Sequence, residues 1–84
     1  MESAYYVYMI ETEKGRLYTG IALDPEKRFY EHLLDPKKGA KFFRSDSPER
    51  IVYIELHSSK SAALKREIAI KKLSRKAKAN LWQN

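Results

Sequence analysis

The sequence predicts an α+β fold, a small and mainly antiparallel three-stranded sheet flanked by helices. Three observations carry this. Aromatic and β-branched residues concentrate in three short segments, Tyr5 to Glu11, Arg16 to Ile21 and Ile51 to Leu56, the composition that suits a pleated, half-buried surface. The first two segments are separated only by Thr12 to Gly15, short enough for a hairpin. Capping residues open the remaining stretches, so the order is strand–strand–helix–strand–helix–helix, which lays helices on a sheet.

In the hairpin turn, Gly15 can adopt a positive φ. Asp24-Pro25 then supplies an N-cap and a proline at the first helical position, and the helix runs to about Leu34, before Asp35-Pro36. Phe29 and Leu33 mark the face expected to meet the sheet. Pro36 to Pro48 reads as a loop that contains Gly39 and the run Lys41-Phe42-Phe43-Arg44. Ile51 to Leu56 is apolar enough on both faces to be expected at the centre of the sheet. Ser58 or Ser59 caps a long helix to about Leu73, with Leu64, Ile68 and Ile70 as its expected apolar contacts. Ser74 caps a shorter last helix. No repeat or low-complexity linker interrupts the chain, and residues 1–84 are expected to form a single domain.

A chain of 84 residues has a radius of gyration of roughly 12 Å, and a body of that size favours an open groove and a polymeric substrate. The absence of cysteine excludes disulfides and thiolate metal sites, and two histidines, His32 and His57, cannot build a histidine-rich zinc cage. The N-terminus lacks the pattern of a signal peptide, and the longest apolar runs are too short to span a bilayer. A cytoplasmic protein with no membrane association is expected. Residues 1–57 carry nine basic and ten acidic side chains, whereas residues 58–84 carry eight basic and one acidic. That asymmetry points to nucleic acid or another anionic surface, set against the plainer reading of a solvated lysine-rich helix face.

Several side chains could carry chemistry. Tyr8 and Tyr18 lie on the hairpin strands and share a face only if residues of equal parity are paired. An odd-length loop or a bulge near Gly15 would do this, a four-residue loop would not, and the sequence leaves both open. Arg28 and His32 stand four apart, on one face of the first helix. Glu67 is the sole acid after residue 57. It reads either as an i,i+4 partner of Lys71 or as a hard oxygen ligand for a divalent ion. The run Lys41 to Arg44 interleaves cations with rings, as proteins that hold single strands do, although core anchoring by one phenylalanine explains it equally.

Taken in order, these residues resemble the GIY-YIG nuclease superfamily, in its small stand-alone bacterial branch. The two triplets stand here as Tyr6-Val7-Tyr8 and Tyr18-Thr19-Gly20, followed by Arg28, His32 and Glu67. The resemblance covers essentially the whole chain, with Tyr6 and Thr19 departing from the motif's name. It implies Tyr8 as the general base, with Tyr18 hydrogen-bonding to it or to the attacked phosphate. It further implies Arg28 as the group that stabilises phosphate charge, His32 as an aid to proton movement and Glu67 as ligand of one Mg²⁺ or Mn²⁺ ion. Asn80 falls where many members have a phosphate-contacting asparagine, in surroundings that match poorly. A free tyrosine has a pKa of about 10, so the base needs nearby positive charge, which Arg28, the cation and His32 are expected to supply.

The expected activity is metal-dependent endonucleolytic hydrolysis of DNA, more than RNA, on single-stranded or branched substrates in repair or DNA processing. Lys41, Arg44, Lys71, Lys72, Arg75 and Lys76 are the expected nucleic-acid contacts. Members of the superfamily usually gain site selection from attached domains, and with none here a partner protein could supply it. The alternatives are a nucleic-acid-binding module with little turnover on the same scaffold, and a basic helix that meets an acidic protein partner.

Overall fold

The computed structural model describes residues 4–35 and 37–83. Strands β1 (Tyr5–Thr12), β2 (Leu17–Ala22) and β3 (Pro48–His57) form one antiparallel sheet in the order β2-β1-β3. Helix α1 (Pro25–Leu34) follows the hairpin, and a 3-10 turn at Lys41–Phe43 lies within the long connection to β3. Helices α2 (Lys60–Lys71) and α3 (Arg75–Ala79) complete the chain. All three caps form as side-chain acceptors: Asp24 takes the Lys27 N–H, Ser59 that of Ala62 and Ser74 that of Ala77, each at 3.1 Å.

The hairpin closes through a short loop over residues 13–15. The Thr12 N–H donates to the Arg16 carbonyl and the Gly15 N–H to the Thr12 carbonyl, both at 2.9 Å, with Gly15 at φ 81°. A left-handed residue at this position is what glycine tolerates and other residues resist. The odd-length loop pairs even residues with even ones, Tyr8 with Gly20 and Ile10 with Tyr18. Tyr8 and Tyr18 therefore share a face.

The centre of the sheet is β1, not the third strand as expected from its composition. Val7, Tyr8, Met9 and Ile10 are buried on both sides, whereas β3 lies at an edge and leaves Ile54 and Leu56 47% and 60% exposed. Apolar residues on both faces of a short run thus mark an edge strand here. Register shifts between Met9 and Ile10 and between Glu11 and Thr12 let β3 extend back to Pro48, further than its apolar residues indicate.

Each face of the sheet has its own core. On one, Val7 and Met9 meet Ala63 and Ile70 of α2, with Leu81 and Trp82 packed alongside. On the other, Tyr8 and Ile10 meet Phe43, with Tyr18, Phe29 and Ala40 around them. The inward stripe of α2 consists of Ala63, Glu67 and Ile70, at i, i+4 and i+7. Leu64 and Ile68, expected to make apolar contacts, are largely exposed, because they stand about 100° around the helix from that stripe. Leu33 of α1 likewise faces outward, and His32 is buried in its place. Among the described residues no helix is long and apolar enough to cross a membrane.

Candidate active site

The site begins with a glycine. Gly20 sits opposite Tyr8 in the hairpin register, and the Tyr8 phenol lies across it. A Cβ at position 20 would stand 2.6 Å from the Tyr8 oxygen and 2.8 Å from its Cζ, closer than such atoms approach. The last residue of the second triplet is thus the floor beneath the phenol. The first two residues of that triplet divide between the faces. Tyr18 joins the aromatic cluster, its ring centroid 6.3 Å from that of Tyr8 and 5.3 Å from that of His32. Thr19 turns towards α2.

His32 and Arg28 reach the same face from α1. The Tyr8 hydroxyl and His32 Nε2 are 3.0 Å apart in a buried contact. The other ring nitrogen, Nδ1, accepts the Ala40 N–H at 3.0 Å. A neutral ring with an acceptor at Nδ1 carries its proton on Nε2, so His32 donates to the Tyr8 oxygen. The His32 pKa is lowered to about 4, chiefly by burial and secondarily by the Arg28 charge, with Glu31 opposing both. The ring is accordingly neutral at ordinary pH. Phe43 flanks it at 4.6 Å between centroids, so the second ring of the Lys41–Arg44 run anchors the core rather than offering a free platform.

Arg28 is fixed through one nitrogen. Its Nη1 donates to Glu31 Oε1 at 3.0 Å and to the Lys38 carbonyl at 2.7 Å. Within strict hydrogen-bond geometry Nη2 and Nε have no partner among the described residues. The guanidinium nevertheless lies near enough to Tyr8 to favour its phenolate by charge and hydrogen bonding, and that edge can also meet an anion. Together Arg28 and His32 tie the loop after α1, at Lys38 and Ala40, back onto the helix. This role of the Ala40 amide has no signature in the sequence.

Tyr8 is 1% exposed, and its pKa is raised above the usual phenol value. Burial is the main cause and Tyr18 adds to it. The neighbouring Arg28 guanidinium pulls the other way without reversing the shift, and Glu67 adds a smaller upward push. The protein groups present therefore do not by themselves produce the lowered tyrosine pKa expected from the sequence, since desolvation of the phenolate outweighs the guanidinium.

Glu67 comes from the helix layer on the opposite face of the sheet. Its side chain is 16% exposed, and Lys71 Nζ lies 3.4 Å from its Oε2, so the i,i+4 pair read from the sequence is formed. No hydrogen bond joins Glu67 to Tyr8, Tyr18, Arg28 or His32 among the described residues, though its charge acts on Tyr8. Nor do the described residues contain a cluster of three or more His, Cys, Asp or Glu side chains suited to a metal. One mostly buried carboxylate, held by a single long ion pair, fits a hard cation whose other ligands are water and phosphate oxygens. It does not fit an all-protein cage.

The predicted nucleic-acid contacts divide between the two faces. Lys41 and Arg44 are exposed on the loop that borders His32, whereas Lys71, Lys72, Arg75 and Lys76 are exposed on the α2–α3 side. Asn80 is exposed at the C-cap of α3, where its backbone N–H donates to the Lys76 carbonyl at 3.0 Å. Lys37 and Lys38 escaped the sequence reading. Their signal was local, since residues 37–45 contain four cations and no acid within a half of the chain that is nearly neutral overall.

Residues 4–80 match the family model of the GIY-YIG catalytic domain. The chain belongs to the GIY-YIG family. A UPF0213 protein of Pseudomonas aeruginosa is 48% identical over 75 residues, a match that covers 89% of this chain and 70% of that protein. One of Staphylococcus saprophyticus is 43% identical over 77 residues, covering 92% of each. Among solved structures, the solution NMR structure of a UPF0213 protein from Bacillus halodurans is similar, with a TM-score of 0.57 and 37% identity. That match covers 93% of this chain and 81% of the neighbour. GIY-YIG domains are generally nucleases and typically depend on a divalent metal. The hairpin triplets that name the family are the two strands that bring Tyr8, Tyr18 and Gly20 together.

Proposed function

We propose that this GIY-YIG protein is a divalent-metal-dependent endonuclease that hydrolyses phosphodiester bonds in DNA, in the cytoplasm and in a repair or processing role. The observation that carries the reading is the buried Tyr8–His32 pair, with His32 pinned by the Ala40 amide so that Nε2–H points at the phenol oxygen. A neutral donor of this kind stabilises a phenolate without competing for its proton. In that state Tyr8 takes a proton from water, the water oxygen forms a bond to phosphorus, and the opposite P–O bond breaks. The leaving oxygen is protonated by solvent. Arg28 offers its Nη2–Nε edge to the nonbridging oxygens, and Tyr18 orders the phenol and the attacked phosphate. Glu67 is the residue that would hold one Mg²⁺ or Mn²⁺ ion. When bound, that ion would supply positive charge that opposes the push of Glu67 on Tyr8.

The burial of Tyr8 and the upward shift of its pKa also favour a second reading, a binding module with little turnover. Cleavage of labelled single-stranded, duplex and branched DNA separates the two. Metal-dependent cutting that falls about 10²-fold or more in Tyr8→Phe, as expected for loss of a general base, and that is lost in Glu67→Ala, supports the nuclease. Salt-sensitive binding without cutting on any substrate supports the module.

A further inference from the structure

On the side of His32 that faces the loop lies a cavity of about 510 Å³ between the end of α1 and that loop, bordered by His32, Leu33, Lys37, Ala40, Phe43 and Arg44. Its volume lies within the roughly 300–1,000 Å³ of small-ligand sites. The wall divides by chemistry. Leu33 and Ala40 give an apolar side, with Leu33 41% exposed and the core residue Phe43 at its base. Lys37 and Arg44 are exposed, and neither is in an ion pair among the described residues. Lys38 and Lys41 add charge on the same acid-free loop.

We infer that this cavity receives one unpaired nucleotide next to the cleaved phosphate, its base against the apolar side and its phosphate held by Lys37 and Arg44. The inference rests on the nuclease reading and names a requirement on the substrate, namely unpaired character at the cut. A base inside a duplex is stacked and paired, and cannot enter a concave site unless it is first extruded. A base that is already free enters at no such cost, while its phosphate meets cations that have no competing partner. The loop is held open to this use by the two bonds that tie it to α1, Arg28 to the Lys38 carbonyl and the Ala40 amide to His32. The cavity meets the site through His32, whose Nε2 lies 3.0 Å from the Tyr8 hydroxyl.

Fluorescence anisotropy with the full chain in EDTA tests this without turnover, using short oligo-dT, oligo-U and a blunt duplex of equal length as probes. The expected result is binding of oligo-dT or oligo-U about tenfold or more tighter than the duplex, in line with contact to one unstacked base. The oligo-dT and oligo-U arms tell a DNA strand from an RNA strand. The double variant Lys37→Ala, Arg44→Ala is expected to lose most of that preference with unchanged circular dichroism. Equal binding of duplex and single strands, or a preference that survives the double variant, overturns the inference. Cleavage with metal is read separately. If cutting occurs without single-strand preference, the cavity assignment fails and the nuclease stands, and if preference occurs without cutting, the reverse holds.

Discussion

The two faces of the sheet use burial differently. Towards α2, β1 contributes Val7 and Met9 to an apolar core with Ala63 and Ile70, and α2 is further tied to β3 through Glu55. Glu55 accepts from Tyr53 and Arg66 and contacts His57, a partly exposed network in which the partners are matched. Towards α1, the same strand contributes Tyr8, and the helix meets it with His32, which is hydrogen-bonded at both ring nitrogens. Both groups are almost fully buried, and burial drives both away from their charged forms, the phenol up and the imidazole down. Apart from Glu67, the α2 face is arranged for stability. The other holds ionisable groups neutral in a dry environment, close to Arg28, an arrangement common at reactive sites.

Gly20 is the point of closest approach on the α1 face, and the largest effect of any change is expected there. Gly20→Ala places a methyl against the Tyr8 oxygen. It is expected to cost about 1–3 kcal/mol by overcrowding and to lower cleavage sharply by displacing the phenol. Denaturant melts and the cleavage assay measure both, and a variant as stable and active as wild type would show that the phenol does not need its glycine floor.

The next effect is a pH dependence. The folded-state pKa of His32 is about 4, below the unfolded value of about 6.5. Between those values the unfolded chain binds the extra proton, so stability is complete above about pH 6.5 and falls as the pH drops towards 4. From pH 7 to 5 the loss from this residue is about 2 kcal/mol. Thermal melts across that range should show the slope in wild type, and His32→Gln should flatten it. An equal slope in both proteins would place the dependence elsewhere.

The smallest effect belongs to the other face. Glu55→Gln removes the charge that Arg66 and His57 face, and is expected to cost about 1 kcal/mol because the network is partly solvated. It should leave the slope due to His32 unchanged. A cost exceeding that of Gly20→Ala would mean that the α2 face is as finely constrained as the site.

Much of this organisation is legible in the sequence because it rests on local rules. The caps at Asp24 and Ser74, one at either Ser58 or Ser59, and the i,i+4 spacing of Arg28 and His32 are read directly from residue order. The shared face of Tyr8 and Tyr18 depended on a loop one residue shorter than Thr12 to Gly15, and sequence alone does not choose between those lengths. The position of β1 at the centre was hidden for a related reason. Strand order depends on long-range pairing, and the apolar run of β3 resembles that of a central strand. Composition directed attention to the cationic α2–α3 segment, yet the charges beside His32 come from the loop at 37–44. The tautomer of His32 depends on the Ala40 backbone amide, which any residue except proline would supply.

The claim on which the site rests is that His32 is a neutral donor to Tyr8 through Nε2. Ring ¹⁵N NMR of the full chain, followed from neutral pH down through about 4, reads it directly. The expected result is a single neutral tautomer with the proton on Nε2 that begins to titrate only as the pH approaches about 4, and a changed Nε2 resonance in Tyr8→Phe. A ring that carries its proton on Nδ1, or that titrates near the free-histidine value of about 6.5, would contradict it.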